Sequence, residues 1–153
     1  MARSGWPWLL LLAVLAGCGT RPHPNPDPRA MPGTDPKMTF KQALSTLSLE
    51  LPAEAEKVRF WTREAIGPYA LSVTFVLPCD QVSAFVAAND LIESRDANVS
   101  VAVDGARQVY GLAPDGRSRL FAPGRLKGVD TMGVTYSEIG GGNCQVIGVA
   151  EKY

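Results

Sequence analysis

The stretch Tyr69-Ala70-Leu71-Ser72-Val73-Thr74-Phe75-Val76-Leu77 decides the fold of this chain. Large apolar side chains stand at every odd position, and smaller or hydroxyl-bearing side chains fill most even positions. This period of two predicts a strand with one face buried in a core. Pro78 ends the strand, because proline has no backbone N–H to donate to a neighbouring strand.

The preceding segment, residues 58–64, alternates in the same way and predicts a partner strand. Its apolar and polar faces comprise Val58, Phe60 and Thr62 on one side and Arg59, Trp61 and Arg63 on the other. A turn at Gly67-Pro68 would join the two strands, so we expect them to pair antiparallel.

Two helices are predicted from apolar residues at helical spacing. A short N-terminal helix begins near Thr39, where Phe40, Ala43, Leu44 and Leu47 share one face. The main helix begins after Asp80, a good N-cap residue, and its stripe runs from Val82 to Ile92.

The remainder of the chain reads as two hairpins. Residues 99–103 alternate around three valines, and an Asp104-Gly105 turn would return the chain along residues 108–112. Residues 131–139 and 144–151 flank Gly140-Gly141-Gly142-Asn143, which predicts a terminal hairpin. We therefore expect an α+β domain, with an antiparallel sheet, one main helix packed on one face and a short N-terminal helix.

The N-terminus has the pattern typical of an export signal. Arg3 supplies a positive charge, residues 8–14 form a short apolar run, and Leu15-Ala16-Gly17-Cys18 closes it. A membrane-spanning helix needs about 20 apolar residues, which this run does not reach. The sequence resembles bacterial lipoproteins here, and in general character it is similar to small uncharacterised lipoproteins of actinobacteria.

The resemblance implies that residues 1–17 are removed as a lipoprotein signal peptide. Cys18 would then carry a diacylglycerol and usually a third acyl chain, such as palmitate, which together hold a protein firmly to a bilayer. The resemblance also implies a location on the extracytoplasmic face of the cell membrane, with no cofactor beyond this covalent lipid. An ordinary secretory signal remains the alternative.

Residues 18–37 are expected to form a tether between the lipidated cysteine and a single domain over residues 38–153. Six prolines stand in this segment, at positions 22, 24, 26, 28, 32 and 36. They favour an extended, solvated chain, which at about 3.1 Å per residue would reach roughly 60 Å.

With Cys18 assigned to lipid, Cys79 and Cys144 remain as a pair in a compartment that permits disulfides. We expect them to be bridged, and two buried free thiols are the alternative. A thiol-redox role for Cys79 is less favoured, because no Cys-x-x-Cys motif accompanies it.

Composition argues against several classes of function. Fifteen basic and fifteen acidic residues leave no net charge, which disfavours nucleic-acid binding. The only histidine, His23, precedes the domain, so His-based catalytic sets and the commonest metal ligand are missing from residues 38–153. Two carboxylate groups lack the spacing of a calcium loop and are expected to be solvated: Glu54 with Glu56, and Asp90 with Glu93 and Asp96.

Two groups of residues are candidate binding sites, with no catalytic or metal site expected. The first is Trp61 between Arg59 and Arg63, where an indole could stack on a ligand or could simply be covered by neighbours. The second is a basic loop around Phe121 that could contact anionic groups or be merely solvated. Its basic residues are Arg117, Arg119, Arg125 and Lys127.

These features predict a membrane-anchored, extracytoplasmic lipoprotein with a small binding or protein-interaction domain, whose partner is an envelope protein or a small ligand. A structural or accessory subunit of a cell-envelope complex is the alternative. An enzyme, thiol-redox or of another kind, is less favoured, since no catalytic set is recognisable.

Overall fold

The computed structural model describes residues 24–63, 69–112, 119–124 and 129–152. Within these residues, six strands form one sheet in the order β1-β2-β6-β5-β4-β3, and every neighbouring pair is antiparallel. The strands are β1 Glu56–Arg63, β2 Tyr69–Pro78, β3 Leu91–Glu93, β4 Arg119–Pro123, β5 Thr131–Gly140 and β6 Asn143–Lys152. The mixed α+β class with an antiparallel sheet is confirmed.

β2 lies between β1 and β6, and the alternation that predicted it separates two environments. Leu71, Val73, Phe75 and Leu77 are buried in the larger hydrophobic core on one face of the sheet. Ser72 and Thr74 are buried on the opposite face. Both faces of this strand are therefore covered, and its hydroxyl side chains find partners: Thr74 Oγ1 donates to the carbonyl oxygen of Val146 at 2.9 Å.

The helices lie on both faces of the sheet. They are α1 Phe40–Leu47, α2 Val82–Ala88 after a 3-10 turn at Cys79–Gln81, and α3 Ala97–Val109. Thr39 and Gln42 form a capping box at the start of α1. The α1 residue Phe40 and the α2 residue Phe85 belong to the same core as β2, whereas α3 packs over Ile147 and Val149 on the other face. The sequence predicted one main helix on one face, whereas helices cover both faces. The domain therefore has three layers, with the sheet in the middle.

The predicted hairpin at residues 99–112 is wrong, because residues 97–109 form α3. Val99, Ala102, Val103 and Ala106 point to the sheet at helical spacing. Val101, which the strand alternation placed with Val99, is 69% exposed. Asp96 caps this helix by accepting from the backbone N–H of Asn98.

The main helix predicted after Asp80 is shorter than expected, since α2 ends at Ala88 and Ile92 lies in β3. None of the described helices combines the length and hydrophobicity needed to cross a bilayer.

Close approach of α3 to the sheet depends on Gly133 in β5. A Cβ atom at this position would overlap the Cγ1 atom of Val99. Since two packed layers cannot interpenetrate, only glycine lets the first turn of α3 rest on β5.

The predicted disulfide between Cys79 and Cys144 is confirmed. Cys79 follows β2 and Cys144 lies in β6, and their Cα atoms are 4.9 Å apart. Leu77 pairs with Cys144 in the sheet, so the bond locks the end of a ladder that is already formed.

The first prediction uses Gly105 to test whether this segment forms the helix α3 or the hairpin expected from the sequence. This glycine lies inside α3, and nothing stands within 4 Å of where its Cβ would be. Gly105→Ala should therefore raise the free energy of unfolding by about 0.5–1 kcal/mol, measured by urea denaturation. Gly111→Ala is the matched control: Gly111 has a φ of +69°, and alanine there should cost about 1–2 kcal/mol. A destabilised Gly105→Ala protein would contradict the helix.

The second prediction concerns the disulfide, which joins residues 65 apart in sequence. The Cys79→Ala/Cys144→Ala protein should keep its fold, because the β2–β6 ladder persists, but should lose about 4 kcal/mol of stability. Urea midpoints of the variant and of the reduced wild type should agree. Equal midpoints for the variant and the oxidised wild type would show that the bond does not contribute.

Candidate functional site

A groove of about 210 Å³ runs between α3 and the β1–β2 edge of the sheet, on the face that α3 covers. We call it the α3 groove. Its lining residues are Trp61, Arg63, Ala70, Leu71, Ser72, Ala102, Gly105, Ala106, Val109, Val149 and Glu151. It therefore brings two of the residues singled out in the sequence, Trp61 and Arg63, beside a helix that the sequence did not predict.

The strand register places the sheet wall of the groove. Trp61 pairs with Ser72 and Arg63 pairs with Ala70, so all four residues belong to one face of the β1–β2 hairpin. Alternation in β1 sends Phe60 to the opposite face, where it is fully buried. Because side chains two residues apart in a strand share a face, the indole of Trp61 and the guanidinium of Arg63 lie side by side.

Space remains on the helix side of the groove because the α3 residues that line it have small side chains. Ala102, Gly105 and Ala106 carry at most one methyl group each, and Gly105 has open space where a side chain would project. Larger residues at these positions would fill the space between helix and hairpin. The cavity is thus a consequence of side-chain size in α3.

A hydrogen bond of 3.0 Å between the hydroxyls of Ser72 and Tyr110 ties α3 to β2 next to the groove. Burial raises the pKa of Tyr110 well above its usual value, and the hydrogen bond to Ser72 acts in the opposite sense. The phenol accordingly stays neutral at physiological pH. Its role is to position the helix against the sheet.

The polar side chains of the groove differ in their exposure and in their contacts. Arg63 is exposed, and within the described residues its guanidinium makes no ion pair or hydrogen bond. The Trp61 side chain is half-buried, and its Nε1 atom lies 4.0 Å from where a Cβ on Gly33 would stand. One edge of the indole therefore borders residues 24–38, while the ring also lines the groove. Glu151 lies on the same sheet face, across β2 from Arg63, because both residues pair with Ala70.

The other predicted site residues do not join this groove. Arg59 is exposed, and its Nη1 atom lies 3.8 Å from the Sδ atom of Met31. Arg119 begins β4, three strands away from β2, and pairs with Tyr136. Cys18, Arg117, Arg125 and Lys127 lie outside the described residues.

The carboxylates noted in the sequence are dispersed. Asp96 caps α3, Glu56 begins β1, and Glu54 borders a shallow groove beside α2. In the part of the chain that the structure describes, no three His, Cys, Asp or Glu side chains are grouped as metal ligands.

A larger cavity, of about 410 Å³, opens where α1 and α2 end beside β3. Asn89 lies in its wall, but its side chain is used in holding the fold together. Its Oδ1 atom accepts from the backbone N–H of Glu50 at 2.7 Å, and its Nδ2 atom donates to the carbonyl oxygen of Phe85 at 2.9 Å. This cavity lacks the pairing of an aromatic ring with an uncommitted cation that marks the α3 groove.

Sequence reasoning missed the helical half of the groove, namely Ala102, Gly105, Ala106 and Val109. The valine alternation at residues 99–103 competed with the helical spacing of residues 99, 102, 103 and 106, and only the second spacing is continued by Tyr110. Asp96 as an N-cap was the signal that could have distinguished them.

Comparison with models of known protein families finds no match to this chain, and neither do searches of curated proteins and of solved structures.

Proposed function

We propose that this chain is a lipid-anchored, extracytoplasmic binding module. Cys18 is the anchor and the α3 groove is the binding site. The complete Leu15-Ala16-Gly17-Cys18 motif behind a basic and apolar N-terminus carries the proposal. The Cys79–Cys144 disulfide supports it, since such bonds persist in oxidising compartments outside the cytosol.

The chemistry of the groove defines the ligand class. A guanidinium pairs best with a carboxylate or phosphate, because its planar donors match two acceptor oxygens. The Trp61 ring and the small residues of α3 offer an apolar slot beside Arg63. The proposed ligand therefore bears an anionic group next to a flat or aliphatic group.

The size of the groove limits what it can hold. At about 210 Å³ it is smaller than the 300–1,000 Å³ typical of sites that enclose a whole small molecule. It fits one side chain or one end group of a larger partner. Together with the Arg63 guanidinium and the proposed membrane location, this size leads us to propose an anionic residue of an envelope protein as the occupant.

The third prediction tests the anchor. Cys18→Ala should move the protein from the membrane fraction to the soluble extracytoplasmic fraction, because no acyl chains can be attached. Thr20→Ala is the control, since it leaves the motif intact and should stay in the membrane. Intact mass of the cell-derived wild type should show an acylated Cys18 at the first position. Membrane retention of Cys18→Ala would refute the anchor.

The fourth prediction tests the groove by site-specific photocrosslinking in the native envelope. A photoreactive residue at Val109, which lines the groove, should form a discrete adduct that is lost when Arg63→Gln is added. The same residue at Val101, on the exposed side of α3, is the matched control and should not form that adduct. Identical adducts from both positions, or an adduct insensitive to Arg63→Gln, would exclude the groove as the site.

A further inference from the structure

Residues 24–38 lie against the outer edge of β1, and we call this segment the strap. An extended, solvated tether was expected here from its prolines. Instead, Ala30 forms a parallel bridge with Phe60 in the middle of β1. The Met31 N–H donates to the carbonyl oxygen of Phe60 at 2.8 Å, and the Phe60 N–H donates to the carbonyl oxygen of Arg29 at 3.1 Å.

A second set of contacts fixes the C-terminal half of the strap. The Asp35 N–H donates to Oγ1 of Thr62 at 3.1 Å. Thr34 is only 4% exposed, and its hydroxyl donates to the carbonyl oxygen of Met31 at 2.7 Å. Asn25 reaches back across the segment, and its Nδ2 atom donates to the carbonyl oxygens of Asp35 and Met38. These bonds hold the strap as a folded part of the domain.

Side-chain packing adds to these hydrogen bonds. The Arg29 guanidinium lies 4.1 Å from the centroid of the Phe40 ring and pairs with Asp27 at 2.8 Å. The side-chain hydrogen bond from Arg29 holds the pKa of the Asp27 carboxyl below its usual value. Release of the strap would also leave the buried Phe60 backbone without its outer partners.

A docked strap changes how far the domain can stand from its anchor. Only six residue steps separate Cys18 from Pro24, and a fully extended chain covers at most about 3.5 Å per residue. The start of the strap can therefore lie no more than about 20 Å from the lipidated cysteine, a third of the roughly 60 Å expected for a free tether.

We propose that the strap holds the β1 edge of the domain, with Trp61 and the mouth of the α3 groove, next to the lipid surface. This inference rests on the proposed anchor at Cys18. The surface that meets the membrane is the one formed by the strap and β1, and the site then serves partners that are themselves at the membrane.

The fifth prediction uses Trp61 as a reporter, since it is the only tryptophan in residues 18–153. The chain of residues 18–153, with its disulfide intact, has one free thiol, at Cys18. This thiol is coupled to a maleimide lipid in phosphatidylcholine vesicles that contain dansyl-headgroup lipid. Energy transfer from Trp61 to dansyl measures the distance to the bilayer, and the wild type should show strong transfer.

Insertion of ten Gly/Ser residues between Thr20 and Arg21 is the decisive variant. If six residues are free, the root-mean-square span of the tether grows about 1.6-fold, whereas a free tether of twenty residues grows only about 1.2-fold. Transfer should therefore fall steeply on insertion. A change no larger than that expected for the free tether would overturn the proposal.

Two further proteins complete the test. Met31→Pro removes the N–H that bonds to Phe60 and should release the strap, so energy transfer should fall. In this variant, the ten-residue insertion should cause little further change in transfer. The uncoupled Cys18→Ser protein should show only background transfer; transfer equal to the coupled wild type would show adsorption instead of tethering and contradict the proposal. Because the lipid is attached chemically, failure here is distinct from failure of the cellular anchor at Cys18.

Discussion

The pairing of β2 with β6 is the interaction on which the rest of the structure depends. The two strands are in register over ten consecutive residue pairs, from Tyr69 with Lys152 to Pro78 with Asn143. A long connection separates the two strands in the chain, and the bond between Cys79 and Cys144, which are 65 apart in sequence, closes it at one end. Every other strand is added to this pair, β1 beside β2 and β5, β4 and β3 beside β6. Long-range closure of this kind is entropically costly, and the covalent link lowers that cost in the unfolded chain.

Small residues shape the two places where layers meet. Gly133 in β5 lets the first turn of α3 rest on the sheet. Further along the same helix, Ala102, Gly105 and Ala106 leave a slot beside Trp61 and Arg63. Gly133 lets α3 and β5 come into contact, whereas the small residues of α3 leave a gap between this helix and the β1–β2 hairpin. The proposed site therefore follows from how α3 is docked.

The strap joins the proposed anchor to this architecture. Its backbone forms hydrogen bonds with the N–H and carbonyl groups of Phe60 on the outer edge of β1. Without the strap, these edge groups would have no backbone partner. Its residue Gly33 also borders the indole of Trp61. The same hydrogen bonds therefore cover the sheet edge and, in the proposed arrangement, shorten the free chain between Cys18 and the domain. In the proposed arrangement, the lipid anchor and the binding site would be connected through the strap.

The sequence by itself determined the elements whose signal is local. The alternation at residues 69–77 and 58–64 predicted β2 and β1, and the glycine-rich turn at residues 140–142 predicted the β5–β6 hairpin. The pair of cysteines left once Cys18 is assigned to lipid predicted the disulfide. Trp61 and Arg63 were singled out because they stand on the polar face of a strand. The strand, hairpin and disulfide predictions are confirmed, because each depends on neighbours a few residues apart or on the number of cysteines, whereas a binding role for Trp61 and Arg63 stays a prediction.

Only the tertiary structure decided what depends on competing contacts. Residues 97–109 carry both strand-like and helical spacing, and burial of Val99, Ala102, Val103 and Ala106 against the sheet selects the helix. Prolines in residues 24–37 favour an extended chain, yet the hydrogen bonds offered by Phe60 and Thr62 fold this segment onto the domain. The α3 groove could not be foreseen, because its two walls come from segments about forty residues apart in sequence. Local propensity yields in each case to burial and hydrogen bonding supplied by distant residues.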